Sequence, residues 1–315
     1  MLKLIATRAL LGLVTMFAVS VLIFICTQIL PGDVASAVLG QGATAETLAV
    51  FRKELGLDQP AYYRFFDWMF KALRGDLGIS LTNQHVIIDE LLPRFQNTLF
   101  LAGYAAVIAI PLSVGLGILA AIREGRPIDR ISNILTLMTI SVPEFFIGYL
   151  LIMVFSVQLG WFPSLSTVFP EMGFFERLYN TTLPALTLTM LVAAHMLRMT
   201  RTSVLSIMSS PYIEMAFLKG MTRSRVVAHH ALPNAAAPII TVVALNLAYL
   251  VVGVVVVEAV FTYPGIGQLM VDAVAKRDVP VIQACGLVFS GVFVGLNTSA
   301  DILAILVNPR LRHRR

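Results

Sequence analysis

The chain has 315 residues, of which 57% are hydrophobic and only 13% charged. Soluble domains carry about 25% charged residues, so a freely soluble globular protein is excluded and an integral membrane protein is indicated, in keeping with a mean hydropathy of +0.83. The net charge of +5 would suit nucleic acid, but the basic residues lie mostly at the ends of apolar runs, where the positive-inside rule accounts for them.

The first apolar run, 9–30, follows a short basic N-terminus that resembles the start of a signal peptide, and Ala35-Ser36-Ala37 resembles a cleavage site. Signal peptide cores are roughly 7–15 residues long. A run of this length reads instead as an uncleaved first transmembrane helix. Five further runs of about 20 apolar residues follow, at 98–122, 131–157, 183–199, 235–261 and 281–307. They are continuously apolar rather than alternating, which predicts helices and not the strands of a barrel. The fold class expected is therefore an all-α membrane protein with six transmembrane helices.

Orientation follows from lysine and arginine. Lys3 and Arg8, the group Arg123, Arg126 and Arg130, the loop from Arg198 to Arg225, and Arg310, Arg312, Arg314 and Arg315 fall on one side. That places both termini and the 198–232 loop in the cytoplasm. Four units result: a first helix over 1–30, an extracytoplasmic insertion over 31–96, a membrane core over 97–307 and a basic cytoplasmic tail over 308–315. The insertion is polar enough to leave the membrane. Residues 62–73 within it form an amphipathic stretch with Tyr62, Phe65, Phe66, Trp68, Met69 and Phe70, which suits a belt at the membrane surface or a landing surface for an external partner.

The segment 211–234 is the longest charged stretch in the C-terminal two thirds. Ser210 is a suitable N-cap and Pro211 fits a first helical turn. Gly220 can take the left-handed conformation that ends a helix. Thr222 can cap a second helix, and Pro233 is expected to stop it. Tyr212, Met215 and Ala216 share one face with Ile213 and Phe217 beside it, rimmed by Glu214, Lys219, Arg223 and Arg225. Such an apolar face suits insertion into a partner's groove.

Polar groups inside spans are costly and each is a functional candidate. They are Glu144, His195, Asn246, Glu258, Asn297, Thr298, Ser299 and Asp301. Glu258, Asn246 and His195 are candidates for a translocation pathway. Asp301 is a candidate for pairing with Arg198 or Arg201. Pro111, Pro143 and Pro184 can kink their helices, and Gly115 and Gly117 permit close helix approach. Cys26 and Cys285 lie in apolar runs and the histidines are scattered, so neither a disulfide framework nor a metal site is indicated. No Gly-x-x-x-x-Gly-Lys-Ser/Thr loop occurs, so energy from ATP would have to come from another polypeptide.

The hairpin resembles the cytoplasmic EAA loop of ABC importer permeases. Glu214-Met215-Ala216, three residues and Gly220 match its pattern, with Met215 in place of an alanine, and His230-Ala231-Leu232-Pro233-Asn234 matches its ending. Further matches are to the first-subunit permeases of the dipeptide, oligopeptide and nickel branch, whose transmembrane domain is MetI-like. They are Leu30-Pro31-Gly32-Asp33, the run Leu55 to Pro60, Gly75-Asp76-Leu77-Gly78-Ile79-Ser80, Trp161-Phe162-Pro163, Leu183-Pro184-Ala185-Leu186, Phe261-Thr262-Tyr263-Pro264-Gly265-Ile266-Gly267 and Asn308-Pro309-Arg310, the last with Asn for Asp. The resemblance implies a transport subunit that is not itself an enzyme and holds no cofactor, with ATP and Mg bound by partners. Those partners would be a second, homologous permease subunit, two ABC ATPase subunits and an extracytoplasmic substrate-binding protein. The solute implied is a di- or oligopeptide, with nickel, an opine, glutathione or a sugar as alternatives. An intramembrane enzyme and an ion-coupled secondary transporter are competing classes. Asp301 is the only aspartate inside an expected span, which leaves no aspartyl dyad, and no inverted repeat is detectable.

Overall fold

The computed structural model describes residues 2–29, 44–54 and 58–307. The sequence matches at 30–33, 55–57 and 308–310, the Ala35-Ser36-Ala37 motif and the basic tail lie outside the described residues. Among the described residues the chain is helical, with one isolated bridge between Ile79 and Val86. Helix α1 is Leu2–Ile29, α2 is Ala45–Glu54 and α3 is Ala61–Leu73. Helix α4, Ile87–Ile122, runs for 36 residues. Then come α5, Pro127–Ser141, α6, Glu144–Leu151, and a short α7, Phe174–Asn180. Helix α8 is Thr182–Met208 and α9 is Pro211–Leu218. Helix α10, Arg223–Val226, leads through a π-helical turn, Val227–Ala231, into α11, Leu232–Phe261. Helices α12, Ile266–Lys276, and α13, Val279–Val307, end the described chain.

Five helices are long and apolar enough to cross a membrane, and up to seven spans result if each of two bent pairs counts as one. The expected third span is not a continuous helix. It breaks between α5 and α6 with a bend of 104°. Pro143 has no N–H to continue α5, and its ring forces Val142 into the extended region (φ −99°, ψ 132°). Pro184, by contrast, kinks nothing, because it lies in the first turn of α8 where backbone N–H groups have no helical partner anyway. Pro111 lies inside an unbroken α4.

The larger core joins α4, α8, α11, α12 and α13 through Leu101, Leu188, Met196, Leu250, Phe261, Leu269 and Cys285, all buried. Helices α4 and α8 meet closely. A Cβ on Gly117 would lie 2.9 Å from both the Leu197 carbonyl oxygen and Thr200 Cβ, whereas Gly115 faces open space. A second, smaller core lies where α4 and α8 end and α9, α10 and α11 begin.

Candidate functional site

The smaller core seats the hairpin. Pro211 is the first residue of α9, as its fixed φ favours, but the Ser210 hydroxyl donates to the Ile207 carbonyl at 2.5 Å instead of capping α9. Gly220 has φ +81°. Its N–H donates to the Phe217 carbonyl at 2.8 Å and the Met221 N–H to the Ala216 carbonyl at 3.3 Å. This pair of bonds is a Schellman ending, which needs a left-handed residue just past the helix. Thr222 follows, its carbonyl accepting from the Val226 N–H at 3.0 Å.

Pro233 does not stop the second hairpin helix. The helix runs unbroken from Arg223 to Phe261. The π-helical turn Val227–Ala231 ends two residues before the proline, at Ala231. It widens the backbone where an α-helical ladder would ask the missing proline N–H to reach His229. The side chain of Asn234 then donates to the His230 carbonyl at 2.7 Å. The second helix of the hairpin and the long apolar helix after it are therefore continuous.

The hairpin helix α9 is apolar nearly all round, and packing divides it. Ile213 and Ala216 are buried against Ala121, Val204, Val226, Val227, Ala231 and Ala235. Burying an isoleucine fully is worth about 1.5–3 kcal/mol, which fixes the hairpin to the ends of α4 and α8. Ala216 therefore anchors the hairpin and is not part of its free face. Tyr212, Met215, Phe217 and Leu218 point outward, at 45%, 55%, 38% and 76% exposure. Glu214, Lys219 and Gly220 are exposed beside them. The result is a short apolar ridge with charged edges, held on a stiff base.

Of the intramembrane polar residues, Asp301 pairs with Arg8 at 3.0 Å, tying α13 to α1. It meets neither Arg198 nor Arg201. Arg201 instead binds Asp129 through two bonds of 2.5 and 2.9 Å. Asp129 also accepts from the Gly125 N–H at 2.9 Å and from Asn133 at 3.1 Å. Arg198 and His195 are exposed on α8. Asn246 is half-buried, and its amide donates to the Val242 carbonyl of its own helix at 2.7 Å.

Glu258, near the end of α11, is 0% exposed. It accepts from the Thr98 hydroxyl at 2.6 Å and from the Gln268 N–H at 3.1 Å, while Thr98 accepts from the Ile266 N–H at 3.0 Å. The motif Tyr263-Pro264-Gly265-Ile266-Gly267 is shaped around this carboxylate. A Cβ on Gly265 would come within 2.0 Å of Glu258 Oε1, and one on Gly267 within 2.8 Å of Oε2. Nearby, Asn97 accepts from Arg177 and donates to the Pro264 carbonyl, each at 2.8 Å, and Tyr263 donates to the Asn97 carbonyl at 2.8 Å. Asp278, buried after α12, accepts from the hydroxyls of Ser80 at 2.5 Å and Thr82 at 2.9 Å and from the N–H groups of Leu81 and Thr82 at 3.2 Å. At that end the helices are bound by sealed polar bonds. None of Asp129, Thr98, Asn97 or Asp278 stands out in the sequence, except that Asp129 is an acid among Arg123, Arg126 and Arg130.

Residues 113–313 match the family described as the binding-protein-dependent transport system inner membrane component, and residues 1–102 match the N-terminal part of such membrane components. The chain is 41% identical over 308 residues to the glutathione transport system permease protein GsiC of Escherichia coli O6:H1, covering 98% of each chain. Its counterparts in Escherichia coli K12 and Shigella flexneri are each 40% identical over the same span. Among solved structures, an inward-facing MetNI methionine ABC transporter superposes with a TM-score of 0.54 at 18% identity, covering 69% of this chain and 96% of that one, a likeness of fold. The all-helical, multi-pass architecture, the hairpin and these matches agree: the chain belongs to the family of binding-protein-dependent transport system inner membrane components, and it is the permease subunit of an ABC importer.

Proposed function

We propose that the outward ridge of α9 is the docking element through which this permease receives the work of a separate ATPase. The supporting observation is the division of α9 into a buried seat, Ile213 and Ala216, and an exposed apolar ridge, Tyr212, Met215, Phe217 and Leu218. A ridge of that kind fits a helix-in-groove contact. Two ATPase subunits would bind the hairpins of this chain and of a second, non-identical permease. An extracytoplasmic binding protein would deliver the solute. Six spans cross the inner membrane, with α5 and α6 together as the bent third, and both termini and the hairpin lie in the cytoplasm. The insertion over 31–96 lies on the other side and the core over 97–307 carries the path. His195 and Asn246 are its candidate lining residues, and Glu258 serves as an anchor at its outer end. A small peptide is the solute class, and the relatives' glutathione, itself a tripeptide, falls within it.

Two substitutions at Gly220 test the docking. A Cβ there meets nothing within 4 Å, so Gly220→Ala and Gly220→Asp carry similar backbone strain, about 1–2 kcal/mol at a left-handed position. Only aspartate adds a charge beside the ridge. Gly220→Asp is expected to reach the membrane but lose both ATPase co-purification and peptide uptake, while Gly220→Ala keeps most of both. Full co-purification and uptake in Gly220→Asp would sink the docking role.

A further inference from the structure

Helix α3 belongs to the segment that composition assigns to water, yet its aromatic side chains lie against a membrane-spanning helix. The Phe65 ring sits between Phe17 and Phe24 of α1, with centroids 6.0 and 5.4 Å away, and Trp68 stacks on Phe24 at 6.3 Å. Phe24 and Phe65 are both buried. At the end of the same contact, Arg64 donates to Gln28 at 2.7 Å. Phe24 is five residues, or about 7.5 Å of helix rise, inside the Ile29 end of α1, and Phe17 is deeper still. A helix that touches α1 at that depth is level with the acyl chains, not above the headgroups.

The surface of α3 divides three ways. Phe65 and Trp68 turn toward α1. Asp67, Lys71 and Arg74 form a polar edge, with Asp67 and Lys71 paired at 2.8 Å. Between them an exposed face carries Tyr62, Phe66, Phe70 and Leu73, each about half exposed or more. In water such a face would be an aggregation liability. Helix α1 likewise exposes apolar side chains, with Leu10, Leu13, Val14 and Leu22 at lipid-facing positions of a spanning helix. A protein partner at the membrane surface would need a rim on both sides of the aromatic face. Here one side is α1 and only the other is charged. That asymmetry matches a hydrocarbon–headgroup boundary.

We propose that α3 is a monotopic helix embedded in the leaflet at the Ile29 end of α1, its Tyr62–Phe66–Phe70–Leu73 face in contact with lipid acyl chains and its Asp67–Lys71 edge among the headgroups. In the orientation proposed above, this is the extracytoplasmic leaflet. The helix widens the footprint of the permease in that leaflet alone and braces α1, which otherwise leans chiefly on α13.

Spin labels test this in the full chain within its assembled complex, in vesicles of phosphatidylethanolamine and phosphatidylglycerol. In a Cys26→Ala, Cys285→Ala background, single cysteines replace Phe66, Phe70, Lys71 and Val14. Collision with oxygen, which partitions into hydrocarbon, is compared with collision with a water-soluble nickel complex. The labels at 66, 70 and 14 are expected to favour oxygen several-fold more than the label at 71. Oxygen preference at 14 with nickel preference at 66 and 70 would overturn the proposal while leaving α1 as a span. Protection of 66 and 70 from both reagents would overturn it in favour of a protein partner. Nickel preference at 14 would overturn the span and the proposal together. Positions 66 and 70 are both exposed, so either carries the test if the other substitution impairs assembly.

Discussion

The Asp129–Arg201 pair is the interaction whose removal has the clearest expected size. Asp129 is 3% exposed and its carboxylate meets the Arg201 guanidinium through two bonds. Removing one partner of a buried pair leaves the other charge uncompensated and costs about 3–5 kcal/mol. Arg201 is one-fifth exposed, so water softens the penalty of losing Asp129. Against that, Asp129→Ala also deprives the Gly125 N–H of its acceptor, a further cost of about 1 kcal/mol. Each single alanine variant is therefore expected to lose about 3 kcal/mol. The double variant carries no orphaned charge and is expected to fall short of the sum of the singles by about 2 kcal/mol. The assay is a denaturant titration of the purified chain in mild detergent, with midpoints and slopes compared across the four proteins. A double variant equal to the sum of the singles would refute the pairing. A double variant about 4 kcal/mol less stable than the unaltered chain supports the account, in which the pair ties the start of α5 to α8 about three turns before α9.

Two further expectations concern the opposite end of the bundle. Gly265→Ala is expected to destabilise the protein severely, because its Cβ would fall within 2.0 Å of Glu258, and Gly265→Ala with Glu258→Ala is expected to be milder than Gly265→Ala alone. Yield of monodisperse protein after extraction measures both, and a worse double variant would contradict the anchoring role of Glu258. Asp278→Ala leaves four donors from Ser80, Leu81 and Thr82 without their acceptor. It is expected to cost about 3 kcal/mol and to expose the loop at 80–82 to proteolysis, whereas unchanged protease resistance would show that the loop is held by other contacts.

The hairpin was largely legible because local rules govern it. Proline at a first helical turn and glycine at a left-handed ending are backbone constraints that a sequence displays directly. Which face of α9 points inward was not legible, because Tyr212, Ile213, Met215, Ala216 and Phe217 are all apolar and periodicity cannot choose among them. Tertiary packing decided it, and it moved Ala216 from the docking face to the seat. Pro233 misled for a related reason: a proline reads as a stop, and a π-helical turn that absorbs it has no signature of its own. The cost of a buried Glu258 was readable, but its partner Thr98 is 160 positions away. Asp278 and Ser80 are 198 apart. Such pairs exist only once the bundle has closed. Likewise, the polar composition of the insertion gives no sign that α3 returns to lie along α1, because the contact rests on a few side chains, Phe65, Trp68 and Arg64.

The central claim is that the outward ridge of α9, and not its inward seat, meets the ATPase. Photo-crosslinking residues placed singly at Met215, Leu218 and Ile213 test it most directly in the assembled complex. The account predicts an adduct with the ATPase subunit from 215 and 218, and none from 213, which faces Val204 and Ala231. Adducts from 213 but not from 215 or 218, or adducts from 215 confined to the permease itself, would contradict it.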